Sequence, residues 1–274
     1  MKKPMMTLML LTVCIVLASC SSPSASTVVP EDIPQSSEAD ADADAISAKQ
    51  EDYGQSVMTY QEYLAAQEDS RVTVDCYVQA KEGWHDGFCS VYAQNTDGAY
   101  YLARLYCSEN EYEDLEPGRL IRVTGYKSHW ADSLEISDAS FVLLDGSWIS
   151  EPADMTALIG TDELIRHQNE KVCFHGMKIE AMPDGHSAWY TGWDNSGEED
   201  QNAELYFKAS ANGTGCSFTV KPSLCENAEK VIEILQQLQV GDTVDLEGYL
   251  RFYNGMLPRI TEIIPMNGNL TDQP

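Results

Sequence analysis

The sequence predicts a mainly β protein with short helices, folded as two tandem five-stranded Greek-key barrels. Three observations support this fold class. Short segments that alternate apolar and polar residues recur along most of the chain. The order of these segments is the same in two successive parts of the chain. One segment occurs in both parts, at residues 118–126 and 241–249, and each time carries an interior glycine followed by tyrosine.

The N-terminal segment has the pattern of a lipoprotein signal peptide. Lys2 and Lys3 give it a positive start, residues 5–17 are apolar apart from two threonines, and Leu-Ala-Ser precedes Cys20. The apolar stretch is short for a membrane span, and its end resembles the lipobox of bacterial lipoproteins, where the cysteine thiol receives diacylglycerol before cleavage. We therefore expect residues 1–19 to be removed and Cys20 to be the lipidated N-terminus.

Residues 20–55 are predicted to form a disordered acidic tether. The composition shifts to Ser, Pro, Ala and Asp, with alternating Ala and Asp at residues 39–45. Such a segment has too little apolar surface to offset the entropy lost on ordering. We expect the tether to hold the folded part away from an anionic membrane, at the outer face of the cytoplasmic membrane.

The first repeat is assigned to residues 56–148. Thr59 and Glu62 have the spacing of a capping box in front of a short helix. Alternation predicts a half-buried strand at residues 72–80, and a turn at residues 82–87 leads into a second strand. The remaining elements are a third strand at 100–106, a helical turn near 110–115, a strand at 117–126 and a last strand near 134–144.

The second repeat is assigned to residues 149–274 and has the same order. A short helix is expected at residues 161–166, a first strand at 172–179, a turn at 182–186 and a second strand after it. Residues 204–209 are predicted as the third strand. A helix at 228–238 has four apolar residues on one face, and strands at 240–249 and 258–264 complete the unit.

This order is typical of the OB fold, a five-stranded Greek-key barrel in which a glycine inside the fourth strand eases strong bending. Together with the lipobox, the repeat makes the chain resemble the tandem OB-fold-like lipoproteins of Gram-positive bacteria. The resemblance covers residues 56–266. It implies an architecture and a location but no chemistry, because OB folds host unrelated functions.

Two loops of the first repeat form the candidate ligand site. OB barrels bind ligands on the face of strands two and three, bordered by the loop between strands one and two and the loop between strands four and five. In the first repeat these loops carry Trp84, His85, Asp86, His129, Trp130 and Asp132. We expect them to meet at one end of the barrel in a shallow polar-aromatic groove that binds glycan or peptidoglycan fragments weakly. The second repeat is then expected to act as a spacer or partner surface. The alternative is that these side chains only cover a barrel end.

Six cysteines remain beyond the predicted signal peptide and Cys20. Export permits disulfides, and fifteen connectivities are possible for six cysteines. Cys216 and Cys225 flank a loop that contains Pro222 and are the favoured pair. Cys76 lies on the apolar face of its strand and is predicted to be a buried free thiol.

Charge and the lack of catalytic motifs exclude several function classes. The 274 residues include 17 Lys and Arg against 44 Asp and Glu, a net charge of −27. Nucleic-acid affinity rests on Lys and Arg that neutralise phosphates, so no nucleic-acid partner is expected, with Arg104 and Lys208 almost the only candidates for a basic stripe. The sequence shows no catalytic triad order, zinc-type cluster, P-loop or dinucleotide motif. It therefore predicts no catalytic residue, no metal ligand and no cofactor.

The function predicted from the sequence is non-enzymatic binding or scaffolding. The protein is expected to be a monomeric lipoprotein, attached to the membrane by its lipid, whose partner is a cell-envelope glycan or another exported protein. Two alternatives stay open. One is an extracytoplasmic metal-dependent hydrolase that uses the loops of the first repeat, and the other is a single-stranded nucleic-acid binder, which the charge disfavours.

Overall fold

The computed structural model describes residues 56–196 and 203–266. The predicted signal peptide, Cys20 and the whole of the predicted tether lie outside these residues. Within the described ranges, no helix combines the length and apolar character needed to cross a bilayer.

The first barrel is a closed ring of five strands. Its elements are α1 (Tyr60–Ala65), β1 (Arg71–Lys81), β2 (Phe88–Gln94), β3 (Ala99–Tyr106), α2 (Glu109–Asp114), β4 (Arg119–Trp130) and β5 (Ser133–Ser147). The strands follow the order β1-β2-β3-β5-β4, and β4 pairs with β1 to close the ring. Only the β3–β5 pairing is parallel within this ring, as expected for a Greek key.

Both helices of the first barrel begin at capping boxes. The Thr59 hydroxyl accepts a hydrogen bond from the Glu62 N–H, and the Glu62 carboxylate accepts one from the Thr59 N–H. Ser108 and Glu111 repeat this arrangement in front of α2. The capping box predicted at Thr59 is therefore confirmed, and α1 uses it to place Tyr63 fully in the core.

The second barrel has the same ring with two added strands. Its elements are β6 (Ala153–Asp154), β7 (Lys171–Glu180), β8 (Trp189–Thr191), β9 (Leu205–Ala211), β10 (Thr214–Val220), α3 (Ala228–Gln237), β11 (Thr243–Tyr249) and β12 (Arg259–Pro265). The ring order is β7-β9-β10-β12-β11, closed by β11 on β7, with β6 added beside β7 and β8 added beside β9. The predicted fold class, two tandem five-stranded barrels, is confirmed.

Two element assignments in the second barrel were wrong. The predicted third strand at 204–209 is the second strand of the ring, β9, and the third strand is β10. Asn212 and Gly213 join these strands with φ values of 52° and 81°, which is the two-residue hairpin that an Asn-Gly pair favours. The helix expected at 161–166 is a 3-10 turn, Leu164–His167.

An interior glycine in the fourth strand is required in both barrels because the neighbouring strand approaches closely. A Cβ atom on Gly125 would lie 2.7 Å from Cγ2 of Ile136 and 2.9 Å from the Ser137 carbonyl oxygen. On Gly248 it would lie 2.0 Å from the Arg259 carbonyl oxygen. Each glycine lies at a shift in the register with the fifth strand, so these residues mark the same bend in the two barrels.

The two barrels belong to one compact unit. Tyr92, Tyr101, Leu224 and Tyr249 form a separate buried cluster with residues from both barrels. The rings of Tyr92 and Tyr249 stack at 4.5 Å between centroids and 21° between planes. The two barrels therefore share an apolar interface, and the predicted boundary between residues 148 and 149 stays a prediction.

The cysteines of the described residues are all free thiols, and the predicted pairing of Cys216 with Cys225 is wrong. Cys216 lies on β10, where its Sγ approaches the Ala209 carbonyl oxygen across the hairpin at 3.9 Å. The Cys225 thiol follows a 3-10 turn and contacts the Lys221 carbonyl oxygen at 3.5 Å. Cys76 is buried and free, as predicted.

Candidate functional site

The two loops predicted to form a groove lie at opposite ends of strand β1. Arg71, at the start of β1, pairs with Tyr126 near the end of β4, whereas Tyr77 pairs with Leu120 near the start of β4. The β4–β5 loop is therefore close to the start of β1, and the β1–β2 loop follows its end. The expectation that both loops meet at one end of the barrel is wrong, because an antiparallel β1–β4 pair separates them by the length of β1.

The β1–β2 loop is tied to the end of strand β3. The Trp84 indole Nε1 donates a hydrogen bond to the Cys107 carbonyl oxygen at 2.9 Å. His85 and Asp86 are exposed, and His85 Nε2 lies 3.3 Å from Asp86 Oδ2. Asp86 has φ 48°, so it belongs to the turn that reverses the chain.

The β4–β5 loop is a tight turn built from Ala131 and Asp132, which both have positive φ. Next to it, His129 Nδ1 lies 2.6 Å from a Glu68 carboxylate oxygen, and Trp130 is 61% exposed. Because His85 and His129 stand at different ends of the barrel, they do not share a metal ion. Ligand binding by either loop alone stays a prediction.

A cleft of about 620 Å³ lies between the two barrels instead. The first barrel supplies one wall and the second barrel the other, with Ile149 of the connecting segment between them. Its lining includes Lys81, Tyr112, Ile149, Lys171, Lys230, Glu247, Tyr249 and Glu262. A volume of this size is within the range of small-molecule sites.

The lysines that line the cleft differ in whether their charge already has a partner within the protein. Lys81 Nζ donates to the Tyr112 carbonyl oxygen at 2.5 Å and lies 3.8 Å from the centre of the Tyr112 ring. The ammonium group of Lys81 is therefore already paired within the protein. Within the part of the chain that the structure describes, the side chains of Lys171 and Lys230 form no ion pair or hydrogen bond, so their charges are available to a ligand.

A buried ion group holds the two barrels on either side of the cleft in place. The Glu82 carboxylate, at the end of β1, is paired with Lys221 and Arg259 of the second barrel. Burial opposes ionisation of Glu82, but the adjacent Arg259 and Lys221 outweigh it and lower its pKa. The Tyr101 hydroxyl donates a further hydrogen bond to Glu82 at 3.3 Å. The cleft walls are thus joined by a charge network, in which Glu82 and Arg259 are buried and Lys221 is partly exposed, as well as by the tyrosine cluster.

Three possible metal ligands of different chemistry meet on the outer face of the second barrel. The carboxylate of Asp154, the thiol of Cys173 and the imidazole of His175 each place one ligand atom within 4.8 Å of the other two. The Cys173 Sγ is 3.4 Å from His175 Nε2, and His175 Nδ1 is 3.0 Å from Asp245 Oδ2. Sequence analysis predicted no metal ligands and missed this group.

The ionisation of these side chains follows from their contacts. The hydrogen bond with Asp245 raises the pKa of His175. Burial raises the pKa of the Cys173 thiol, because a thiolate would lose solvation. Hydrogen bonds from Thr156 lower the pKa of Asp154. Without a bound cation the group therefore combines an ionised carboxylate with a protonated thiol at neutral pH.

Comparisons with known proteins give a likeness of fold only. No protein-family model and no curated protein matches the chain. Among solved structures, the chain is similar to the hypothetical protein ygiW from E. coli, at 15% identity over 33% of this chain and 91% of that one, with a TM-score of 0.25. It is also similar to a murine DNA-binding protein bound with double-stranded DNA, at 10% identity over 73% and 99% of the two chains and a TM-score of 0.35.

A replication protein A heterotrimer bound to single-stranded DNA is a third similar structure, at 11% identity over 73% of this chain and 50% of that one, with a TM-score of 0.31. The expectation that nucleic acid is not a partner is contradicted by these DNA-bound structures. It rested on net charge, which averages over the whole surface, whereas binding depends on local charge. The likeness itself assigns no ligand to this chain.

Proposed function

We propose that the protein is a membrane-anchored extracytoplasmic lipoprotein that acts as a binding module rather than an enzyme, and that its ligand occupies the cleft between the barrels. The lipobox that ends at Cys20 supports the anchor. The observation that carries the binding role is the cleft itself. It is built from both barrels and its walls are held by the buried group of Glu82, Lys221 and Arg259.

The lining of the cleft suits a ligand that carries a ring and charges of both signs. Tyr112 and Ile149 offer apolar surface, and aromatic side chains stack on sugar rings. Lys171 and Lys230 add positive charge, whereas Glu247 and Glu262 add negative charge. Soluble peptidoglycan fragments have this combination of sugar, carboxylate and amine, so an envelope glycan with attached peptide is the proposed ligand class.

Calorimetric titration of the purified lipidated protein with soluble peptidoglycan fragments tests this proposal. We expect saturable binding by the parent protein and binding at least tenfold weaker by a Lys171→Ala/Lys230→Ala variant, because each lysine would lose a charged partner on the ligand. A Trp84→Ala/Trp130→Ala variant is the matched control, since it removes the two loop tryptophans and leaves the cleft unchanged.

Three results are informative. Equal affinity of the parent and the Trp variant, together with weaker binding by the Lys variant, supports the cleft. Loss of binding in the Trp variant, with normal binding by the Lys variant, returns the site to the loops of the first barrel. The absence of any binding by the parent contradicts the proposed ligand class.

A further inference from the structure

We propose that Asp154, Cys173 and His175 form a binding site for a divalent transition-metal ion of the zinc type. The site is separate from the proposed ligand-binding function of the cleft and does not depend on it. It rests on strand register, on the distances between ligand atoms and on the residues that orient those ligands.

Strand pairing places the three residues on one face. In the parallel β6–β7 pair, Asp154 lies opposite Cys173. His175 is two residues further along β7, and alternate residues of a strand point to the same side. Phe174, between them, is fully buried in the barrel core, so Cys173 and His175 point outward. The ligands are thus fixed by backbone pairing rather than by mobile loops.

The distance between the sulfur and nitrogen atoms already suits a bound metal. In tetrahedral zinc sites the Zn–S distance is about 2.3 Å and the Zn–N distance about 2.0–2.1 Å, which places the two ligand atoms about 3.6 Å apart. The Cys173 Sγ and the His175 Nε2 are 3.4 Å apart. The metal would therefore bind with almost no rearrangement of these two side chains.

Further hydrogen bonds orient the ligands as in known metal sites, where a histidine ligand donates its second N–H to a carboxylate. Asp245 Oδ2 accepts from His175 Nδ1, which directs the lone pair of Nε2 toward Cys173. Asp245 is itself held, because its Oδ1 accepts from the Gly176 N–H at 2.7 Å. Thr156 donates to Asp154 Oδ1 through both its N–H and its hydroxyl, which leaves the other Asp154 oxygen for the metal.

The ligand types select the metal and its coordination. Zinc accepts sulfur, imidazole nitrogen and carboxylate oxygen together, whereas calcium and magnesium require oxygen ligands. Three protein ligands leave a fourth tetrahedral position, and the exposed side chain of His175 indicates that this position is open to water or to an external ligand. Glu247, which pairs with Cys173, and Lys171, two residues before Cys173 on the same strand, line the cleft, so Cys173 lies beside the edge of the cleft.

Cobalt titration of the purified protein tests the site directly, with Co²⁺ as a spectroscopic substitute for Zn²⁺. We expect one equivalent of Co²⁺ to produce a thiolate-to-cobalt charge-transfer band and the visible bands of tetrahedral cobalt, and one equivalent of Zn²⁺ to abolish them. Cys173→Ser is expected to remove the charge-transfer band, and His175→Gln to weaken Co²⁺ affinity at least tenfold. Asp245→Asn, which touches no metal, is expected to weaken affinity by about 10–100-fold through misorientation of His175.

Matched controls test one other thiol and one other imidazole. Cys89→Ser changes a thiol whose sulfur is 3.8 Å from that of Cys107, and His186→Gln changes an exposed histidine of the same barrel. Both variants should keep the band at full intensity. The site is refuted if the parent gives no stoichiometric band. It is also refuted if the band is retained in Cys173→Ser or is lost in Cys89→Ser. Because His175 is exposed, His175→Gln should fold normally, and unchanged affinity in that variant also refutes the site.

Discussion

The outer faces of the two barrels differ at equivalent positions of their first and fourth strands. Val72 pairs with Gly125 in the first barrel, and Val172 pairs with Gly248 in the second, which aligns the strands residue by residue. Just beyond that point, the first barrel pairs Thr73 with Thr124 through hydroxyls 2.9 Å apart, and Asp75 with Arg122 through two hydrogen bonds of 2.7 and 2.8 Å.

The second barrel has Cys173 and His175 where the first has Thr73 and Asp75. The difference is chemical rather than topological. An Asp–Arg pair satisfies both partners, whereas the His175–Asp245 pair leaves Nε2 and the Cys173 thiol available for a metal.

The tyrosines after the interior glycines differ in their burial. Tyr126 is 47% exposed, and Tyr249 is 4% exposed because it stacks on Tyr92 of the first barrel. Gly125 and Gly248, by contrast, keep one steric role. The two barrels therefore share the glycines that bend the fourth strand, whereas the outer face of the second barrel carries Tyr249 of the inter-barrel contact, one cleft wall and the candidate metal ligands.

Removal of the Glu82 carboxylate should have the largest effect on stability. Glu82→Ala leaves Arg259 buried and without its acidic partner, and breaking a buried ion pair in this way costs about 3–5 kcal/mol. Chemical denaturation followed by tryptophan fluorescence measures the change. Asp75→Asn is the control, since it breaks a partly exposed pair of one barrel and should cost only about 0.2–1 kcal/mol. Equal effects of the two variants would show that the Glu82 ion group adds no more stability than a partly exposed pair does.

The same carboxylate predicts how stability depends on pH. Its pKa in the folded protein is lowered below the ordinary value of 4.5, so its contribution is fully present above pH 4.5 and is lost as the pH falls through the folded-state pKa. Urea denaturation between pH 7 and pH 3 should therefore show an acid-dependent loss in the parent. A Glu82→Gln variant should lack that part of the loss. If both proteins lose the same stability between pH 7 and pH 3, Glu82 is not the group responsible.

Alanine at the interior glycines should destabilise both barrels, and the second barrel more. The added Cβ of Gly248→Ala meets the backbone of Arg259, which cannot relieve the clash by changing rotamer. The added Cβ of Gly125→Ala first meets the side chain of Ile136, which can. We expect a loss of about 3 kcal/mol for Gly248→Ala and about 1–2 kcal/mol for Gly125→Ala, measured by thermal unfolding. Gly83→Ala is the control, because its Cβ would make an ordinary contact of 3.7 Å. The reverse order would contradict this account, because it would show that the bend at Gly125 is the tighter of the two.

Zinc binding should stabilise the second barrel by less than the Glu82 carboxylate does. A ligand that binds only the folded state at ten times its Kd adds about 1.4 kcal/mol, so zinc should raise the Tm of the parent and leave that of Cys173→Ser unchanged. Magnesium at the same concentration should shift neither. A zinc-dependent rise in the Cys173→Ser variant would place the ion elsewhere.

Sequence reasoning was accurate where the signal is local. The capping box at Thr59, the alternation along β1 and β7 and the two interior glycines each act within a few residues, and each predicted its element. The Asn212–Gly213 hairpin was an available local signal that was overlooked, and this misplaced the third strand of the second barrel.

The sites were harder to predict because they depend on register between distant strands. A Cys and a His two residues apart on β7 predict a shared face, but Asp154 and Asp245 join them only through the pairing of β6 and β11 with β7. The cleft likewise requires the arrangement of the two barrels, which no segment encodes alone. Trp84 and Trp130 stand out in the sequence, but the antiparallel pairing of β1 with β4 places them at opposite ends of β1.

The central claim, that ligand binds between the barrels, is tested most directly by nuclear magnetic resonance of the ¹⁵N-labelled protein during titration with peptidoglycan fragments. The indole N–H signals of Trp84 and Trp130 report on the two loops, and the amide signals of Lys171 and Lys230 report on the cleft. The account predicts that the amide signals shift in a saturable manner while both indole signals stay in place. Shifts of the indole signals with unchanged cleft amides would contradict it.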